Sequence, residues 1–355
     1  MATSSPDELR ALRGAVAELM ASRTDDAAVW SDLAAMGLLG LLVPERCGGA
    51  DAGLVEVGAV AEELGRVLFS GPYLSTAVLG VNLVLSVDDP NLHEHVLPEI
   101  AAGRTRVAVA FAEGNSTRPP STLLTRAEAG ATPLISGTKR FVLDADSADT
   151  MFVLADSPEG PALFTVDSAA PGVKVEPMST VDGTRRLCEV RFDDAMATRV
   201  GDTGAGVTAL NTALDRSAVA LLSEQAGAAR FAMEMARDYA KTRYQFGRAI
   251  GSFQAVKHLC ADMLLEAEST VSAARHVAAA ADHDAADWAT DLALAQAYCA
   301  DAFVFVAATN IQVHGGIGFT WEHPAHRYLR RARSDAQLFG SPAWHRERYL
   351  HEIGA

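Results

Sequence analysis

The apolar pattern of this chain changes period twice, and that double change limits the folds open to it. Over residues 7–106, apolar residues recur at helical spacing. Leu9, Leu12, Val16 and Leu19 mark the stripe of a first helix that Ser5 or Asp7 can cap. Pro44, Gly48 and Gly49 break the pattern, which resumes through Val55, Val60, Leu64 and Val67. Over residues 107–202 the runs VAVAFAE, PLISGTKRFVLDA, DTMFVLAD, GPALFTVDS and LCEVRFDD are short, β-branched or aromatic, and punctuated by Gly, Pro and Asp. They read as strands of a small antiparallel domain. From about Gly206 the helical period returns, rich in alanine, which favours close helix packing. Blocks of one kind, without βαβ alternation, predict an α+β protein. Its expected parts are an N-terminal helical domain over residues 1–106, a β domain over 107–202 and a C-terminal four-helix-bundle domain over 203–355. No GxGxxG follows a strand, so a Rossmann nucleotide site is not expected.

Composition narrows the function. A chain of 355 residues suits two or three packed subdomains, and 49% apolar with 21% charged residues is ordinary globular usage. The net charge of −15 argues against a nucleic-acid partner and requires a local cationic cluster for any anionic ligand. Cys47, Cys188, Cys260 and Cys299 lie far apart without a CxxC pair, so free thiols in a reducing compartment are expected. His314, His323 and His326 lack the Cys or carboxylate that would complete a metal-ligand spacing. The first residues, MATSSPDELRALRG, do not read as a signal peptide, and no apolar stretch of about twenty residues runs free of polar breaks. A cytoplasmic protein without a membrane span is expected.

Two segments carry chemistry. Residues 239–263 read YAKTRYQFGRAIGSFQAVKHLCADM, and residues 311–319 read IQVHGGIGF. Each joins a helix-like stretch to a polar or glycine-rich turn. Arg243 offers the fork geometry that a pyrophosphate wants, and Gln245 can donate to a phosphate. Phe246 offers a flat apolar face to an adenine, Gly247 permits a sharp exit, and Ser252 is a candidate N-cap for the next helix. Gln312 can bridge a phosphate or ribose, while Gly315 and Gly316 allow close backbone approach. Ordinary turns between helices would use the same glycines. Together with the order helical, β, helical, these segments resemble the acyl-CoA dehydrogenase family. LGLLVPERCGGADAGLVEVGAVAEELGR and SGTKRFVLDADSADTMFVLA extend the resemblance over nearly the whole chain. It implies FAD as cofactor, with the arginine, phenylalanine and glutamine reaching across a subunit interface to the adenine half. It also implies an acyl-CoA thioester as substrate and either a homo-oligomer or a heterotetramer with a homologous subunit.

The resemblance weakens on the flavin-ring side. The family's TEPxAGSD-like loop corresponds here to AFAEGNSTRPP, in which only Glu113 keeps its place. The usual strand tryptophan is Phe141, which keeps an aromatic face but lacks the indole donor, with Val142 following. Removing an α-proton from an acyl thioester needs a positioned carboxylate in a dry site. The two family positions for that glutamate are occupied by Phe339, before Gly340, and Ser217. Asp215 lies roughly 200° around a helix from Ser217, and Glu224 lies about 10 Å along it; both read as helix charges or packing partners, with Glu224 the better displaced base. Arg327, Arg330, Arg331 and Arg333 read first as a solvated face, with a CoA phosphate or subunit contact as the other reading. Three functions stay open. One is a subunit that gives FAD its adenine-side contacts while a partner supplies the base, as in the actinobacterial heteromeric branch acting on bulky, sterol-like thioesters. The others are a self-sufficient flavoenzyme with a displaced base such as Glu224, and a flavin-free structural relative.

Overall fold

The computed structural model describes residues 4–22, 25–87, 89–130, 132–202 and 204–355; the expected domain limits at residues 1 and 203 lie outside them. The N-terminal helices are α1 (Pro6–Ser22), α2 (Asp26–Ala35), α3 (Leu54–Arg66), a π-helical stretch Tyr73–Gly80 that runs into α4 (Val81–Ser86), α5 (Pro90–His95) and α6 (Leu97–Ala101). Helix α1 starts on a reciprocal cap: Ser5 N donates to Glu8 Oε2 at 2.7 Å and Glu8 N to Ser5 Oγ at 3.4 Å. Helix α3 has no capping side chain of its own at Gly53. Asp282, from the far end of the chain, accepts from Leu54 N at 2.7 Å and Val55 N at 2.9 Å, a carboxylate set on a positive helix end.

The middle domain holds β1 (Val107–Ala110), β2 (Arg126–Ala127), β3 (Leu134–Leu143), β4 (Thr150–Ser157), β5 (Gly160–Asp167), β6 (Val173–Pro177), β7 (Leu187–Met196) and β8 (Thr198–Val200). They form one eight-stranded sheet in the order β6-β7-β3-β2-β4-β5-β8, with β1 beside β4. The sheet is mixed. Its hairpins β3·β7, β4·β5 and β6·β7 are antiparallel, whereas β1 and β2 both run parallel to β4. The parallel pairs are joined through other strands and loops, so the absence of βαβ units in the sequence and the parallel pairing are compatible.

The C-terminal domain consists of α7 (Ala205–Thr242), a small hairpin β9 (Tyr244–Gln245) and β10 (Arg248–Ala249), α8 (Gln254–Asp282), α9 (Trp288–His314), α10 (Ala325–Asp335) and α11 (Pro342–Glu352). Phe253, not Ser252, occupies the N-cap position of α8; the Ser252 hydroxyl instead donates to Ala249 O. One stretch, Trp288–Phe319, is long and apolar enough to cross a membrane, but 67% of its apolar window is buried inside the protein, as befits a core helix. Helices α3 and α7 cross with their backbones touching. A Cβ on Gly65 would lie 2.1 Å from Glu224 O, and one on Gly227 would lie 1.8 Å from Glu62 O. Glycine at both positions therefore sets the spacing of the N- and C-terminal domains.

Candidate functional site

The structure brings the two sequence segments to one end of the bundle. Helices α7 and α9 both finish there. Tyr239, one turn before the end of α7, stacks on His314, the last residue of α9, at 4.3 Å and 27°; His314 in turn lies 4.2 Å from His323. Arg243 is the C-cap of α7 and leads into the β9–β10 hairpin. Its two-residue turn, Phe246 (φ 52°) and Gly247 (φ 77°), has positive φ at both positions, the left-handed form that suits a tight hairpin. The turn holds the Phe246 ring out at 90% exposure. Gly315 (φ 63°) breaks α9, and among the described residues no atom beyond the chain neighbours lies within 4 Å of a Cβ placed on Gly315 or Gly316.

Arg243, Gln245 and Gln312 are all exposed. Among the described residues none of these three side chains makes a hydrogen bond or ion pair. His314 donates its Nδ1–H to Asn310 O at 2.8 Å, leaving His314 Nε2 and Asn310 Oδ1 buried without partners. Burial holds His314 below the usual histidine range, so it stays neutral near pH 7. Free cationic and amide donors, an exposed aromatic face and open glycine backbone suit an adenosine pyrophosphate.

The ring side is built differently. Lys139 is fully buried, and its Nζ donates to Glu113 Oε1 at 2.6 Å and Phe111 O at 3.4 Å. Burial pushes Lys139 down to about 8. Glu113 also accepts from Leu124 N and Thr125 N, so this carboxylate anchors its loop. Phe141 sits at an irregularity in the β3·β7 pairing with φ 55°, half-buried beneath the Arg140 guanidinium at 5.2 Å. Val142 turns into the core of the β domain at 1% exposure, so its side chain faces away from any ligand.

At Phe339 and Ser217, the two positions where the resemblance leads one to expect a base, the structure offers no acid. Phe339 is fully buried with φ 60°, and the Ser217 hydroxyl donates to Ala213 O at 2.6 Å within its own helix. Each nearby carboxylate is taken up by arginines. Glu224 Oε1 accepts from Arg185 and from Arg331, both at 2.6 Å. Asp215 holds Arg348 through both oxygens at 2.7 and 2.9 Å, with Arg118 at 3.8 Å. Each carboxylate is engaged by two arginines, Glu224 through Oε1 and Asp215 through both oxygens, which argues against Glu224 or Asp215 as a displaced base.

The arginine run divides. Arg327 and Arg333 are exposed, and Arg330 lies over the Trp321 ring at 4.4 Å. Arg331, read from sequence as part of a solvated face, is fully buried. It reaches Glu224, Thr184 and Asp182, and its Nη2 donates to the carbonyls of Leu68 and Phe69. Arg185 completes the cluster by bonding Asp335 at 2.7 Å. These groups come from all three domains, so the cluster is a junction. Its only local trace in the sequence is a run of arginines, because the acids that answer them are more than a hundred residues away. Arg118 also escaped sequence reading: it sits in a loop with no period, and its partners lie on α7, on α11 and at Phe339 just before α11.

Comparison with known proteins follows this division of the chain. Residues 9–104, 108–195 and 204–353 match the models of the N-terminal, middle and C-terminal domains of acyl-CoA dehydrogenase. Among curated relatives, acyl-CoA dehydrogenase FadE34 of Mycobacterium tuberculosis is 38% identical over 89% of this chain; the match spans 41% of that relative's length. Acyl-CoA dehydrogenase IpdE2 of the same organism is 33% identical over 95% of this chain and 94% of its own. Among solved structures, a Tcur3481–Tcur3483 steroid ACAD G363A variant is 29% identical with TM-score 0.86, covering 98% of each chain. The ChsE4–ChsE5 complex of Mycobacterium tuberculosis is 28% identical with TM-score 0.87, covering 100% of this chain and 99% of the other. Butyryl-CoA dehydrogenase of Megasphaera elsdenii, at 20% identity and TM-score 0.91, shares the fold.

Proposed function

The chain belongs to the acyl-CoA dehydrogenase family of oxidoreductases, and from that membership we propose that it is a cofactor-completing subunit of an FAD-dependent enzyme that desaturates an acyl-CoA thioester. In this reading a homologous partner supplies the catalytic carboxylate and most of the acyl site. The observation that carries the proposal is the contrast between the two ends of the molecule. Arg243, Gln245, Phe246, Gln312, Gly315 and Gly316 form an open, unpaired donor surface at one end. At the base positions stand Phe339 and Ser217, with Glu224 and Asp215 held by arginines. Bound FAD would supply the hydride acceptor; this chain's residues would grip the pyrophosphate and cover the adenine. Two structural neighbours are named as paired assemblies, which supports a partner subunit, and one is named a steroid enzyme, which supports a bulky thioester substrate.

Purification of the chain alone and with a co-expressed homologue that carries the glutamate tests the reading. Dye reduction by an acyl-CoA is expected only from the pair, since a missing base forfeits about 10²–10⁴ in rate. Arg243→Ala in the pair should weaken flavin retention by about 1.5–3 kcal/mol, the scale of a charged hydrogen bond. Robust turnover by the chain alone, lost in Glu224→Gln, would overturn the proposal in favour of a displaced base. A pair whose flavin content ignores Arg243→Ala would favour the flavin-free reading.

A further inference from the structure

The adenine-side surface is open, but the loop on the ring side is fastened down. Residues 113–120, which resemble the family's flavin-contacting loop, cross from the middle domain onto the C-terminal domain. Thr117 Oγ1 donates to Gln337 O at 2.5 Å. Arg118 Nη1 donates to Phe339 O at 3.4 Å, the carbonyl of the residue at the family's base position. Its Nη2 donates to Asn211 Oδ1 at 3.3 Å, and its charge faces Asp215 at 3.8 Å. The guanidinium lies 4.4 Å over the ring of Trp344, and the side chain is only 15% exposed. Asn211 and Asp215 belong to α7 and Trp344 to α11, so one side chain ties the loop to two helices.

We propose that Arg118 is an internal plug: it fills and closes this chain's own ring-binding cleft, so that the chain offers FAD an adenine-side surface and no ring pocket. The inference rests on the reading of Arg243 and its neighbours as adenine-side contacts. An uncharged planar ring entering the cleft would have to displace a cation from an aromatic face and a carboxylate, leaving the Phe339 carbonyl and Asn211 without their donor. Pro119 and Pro120 follow directly and restrict the backbone, so the loop cannot easily fold aside. Asp215 keeps Arg348 whether or not Arg118 is present, so removing Arg118 strands no unpaired anion.

The two halves of the cofactor can be probed separately with the purified full chain. ADP carries the adenosine pyrophosphate without a ring, and riboflavin carries the ring without it. Wild-type protein is expected to bind ADP and to leave riboflavin fluorescence unquenched. Arg118→Ala should keep ADP affinity within twofold and tighten riboflavin binding at least tenfold. Arg118→Lys, which keeps the charge but loses the fork and most of the stacking, should fall between them and serves if the alanine variant does not fold. Riboflavin bound equally by wild type and both variants, whether tightly or not at all, overturns the plug. ADP affinity unchanged in Arg243→Ala overturns the adenine-side reading instead, whatever riboflavin does.

Discussion

Arg331 has no exposed surface, and every acceptor it needs comes from elsewhere in the chain. Removing one partner of such a buried cluster leaves uncompensated charge. Arg331→Leu should therefore destabilise the protein by about 3–5 kcal/mol in denaturant unfolding. Glu224→Gln should likewise cost stability, with no separate catalytic effect in the proposed paired enzyme once the folded fraction is matched. Asp335 is raised by burial, with Arg185 opposing and the Glu224 charge adding to the shift, which makes the cluster a poor place for further negative charge. His345 gives a cleaner pH signal. Burial, with Arg118 and Arg348 nearby, pushes it down to about 3, and neither ring nitrogen has a partner among the described residues. Unfolded histidine takes a proton near 6.5, whereas folded His345 refuses it until about pH 3. Stability contributed by this site is thus full above pH 6.5 and falls as the pH drops, by about 1.4 kcal/mol per unit. The gap between unfolding midpoints at pH 7.5 and pH 5 should narrow in His345→Leu; an unchanged gap would place the acid sensitivity in other groups. None of this was visible in the sequence, where Arg331 reads as one of four surface cations and His345 as one histidine among ten.

At the level of elements, the legible features were those with a period. The expected strands at VAVAFAE, PLISGTKRFVLDA, DTMFVLAD, GPALFTVDS and LCEVRFDD all overlap observed ones, because alternation over several residues outweighs local noise. Strands β2, β6 and β8 have two, five and three residues and too little pattern to detect, and the parallel pairing of β1 with β4 depends on topology rather than composition. The α3–α7 crossing rests on two glycines that look unremarkable in isolation. Gly227→Ala should cost about 1–3 kcal/mol or more, as overpacking does, with the loss read from chemical unfolding. The β9–β10 hairpin makes the opposite prediction. Phe246 is 90% exposed, so Phe246→Ala should change stability by less than about 0.5 kcal/mol while weakening ADP binding or subunit pairing. If it lowers the melting temperature as much as Gly227→Ala does, the hairpin is a structural prop and not a contact surface.

For the whole molecule, the block order helical, β, helical was readable end to end because each block has its own period, and the family models fall on the same three parts. Six of the candidate cofactor residues sit in two short contiguous segments, which the fold brings to one end of the bundle; Phe141 and Val142 lie apart from them on β3. The contacts of Arg118 that underlie the proposed plug were not legible, because one arginine meets residues from about 93 to 226 positions away. Tyr244, Phe246, Phe319 and Trp321 are 68–90% exposed, more aromatic surface than a lone globular chain usually shows. Expressed alone, the chain should therefore self-associate or precipitate at a lower concentration than when co-expressed with the proposed homologous partner, measurable by size exclusion with light scattering. The unbroken length of α7 has a consequence of its own. Asp215, which faces Arg118, and Arg243, which caps the helix, are separated by 28 residues of one helix, about 42 Å at 1.5 Å each. That is farther than an FAD molecule can stretch. The helix is a ruler: on the proposed function, a cofactor gripped at Arg243 cannot be one held beside Asp215, so a paired enzyme would settle its flavin count by how many such places find a neighbour.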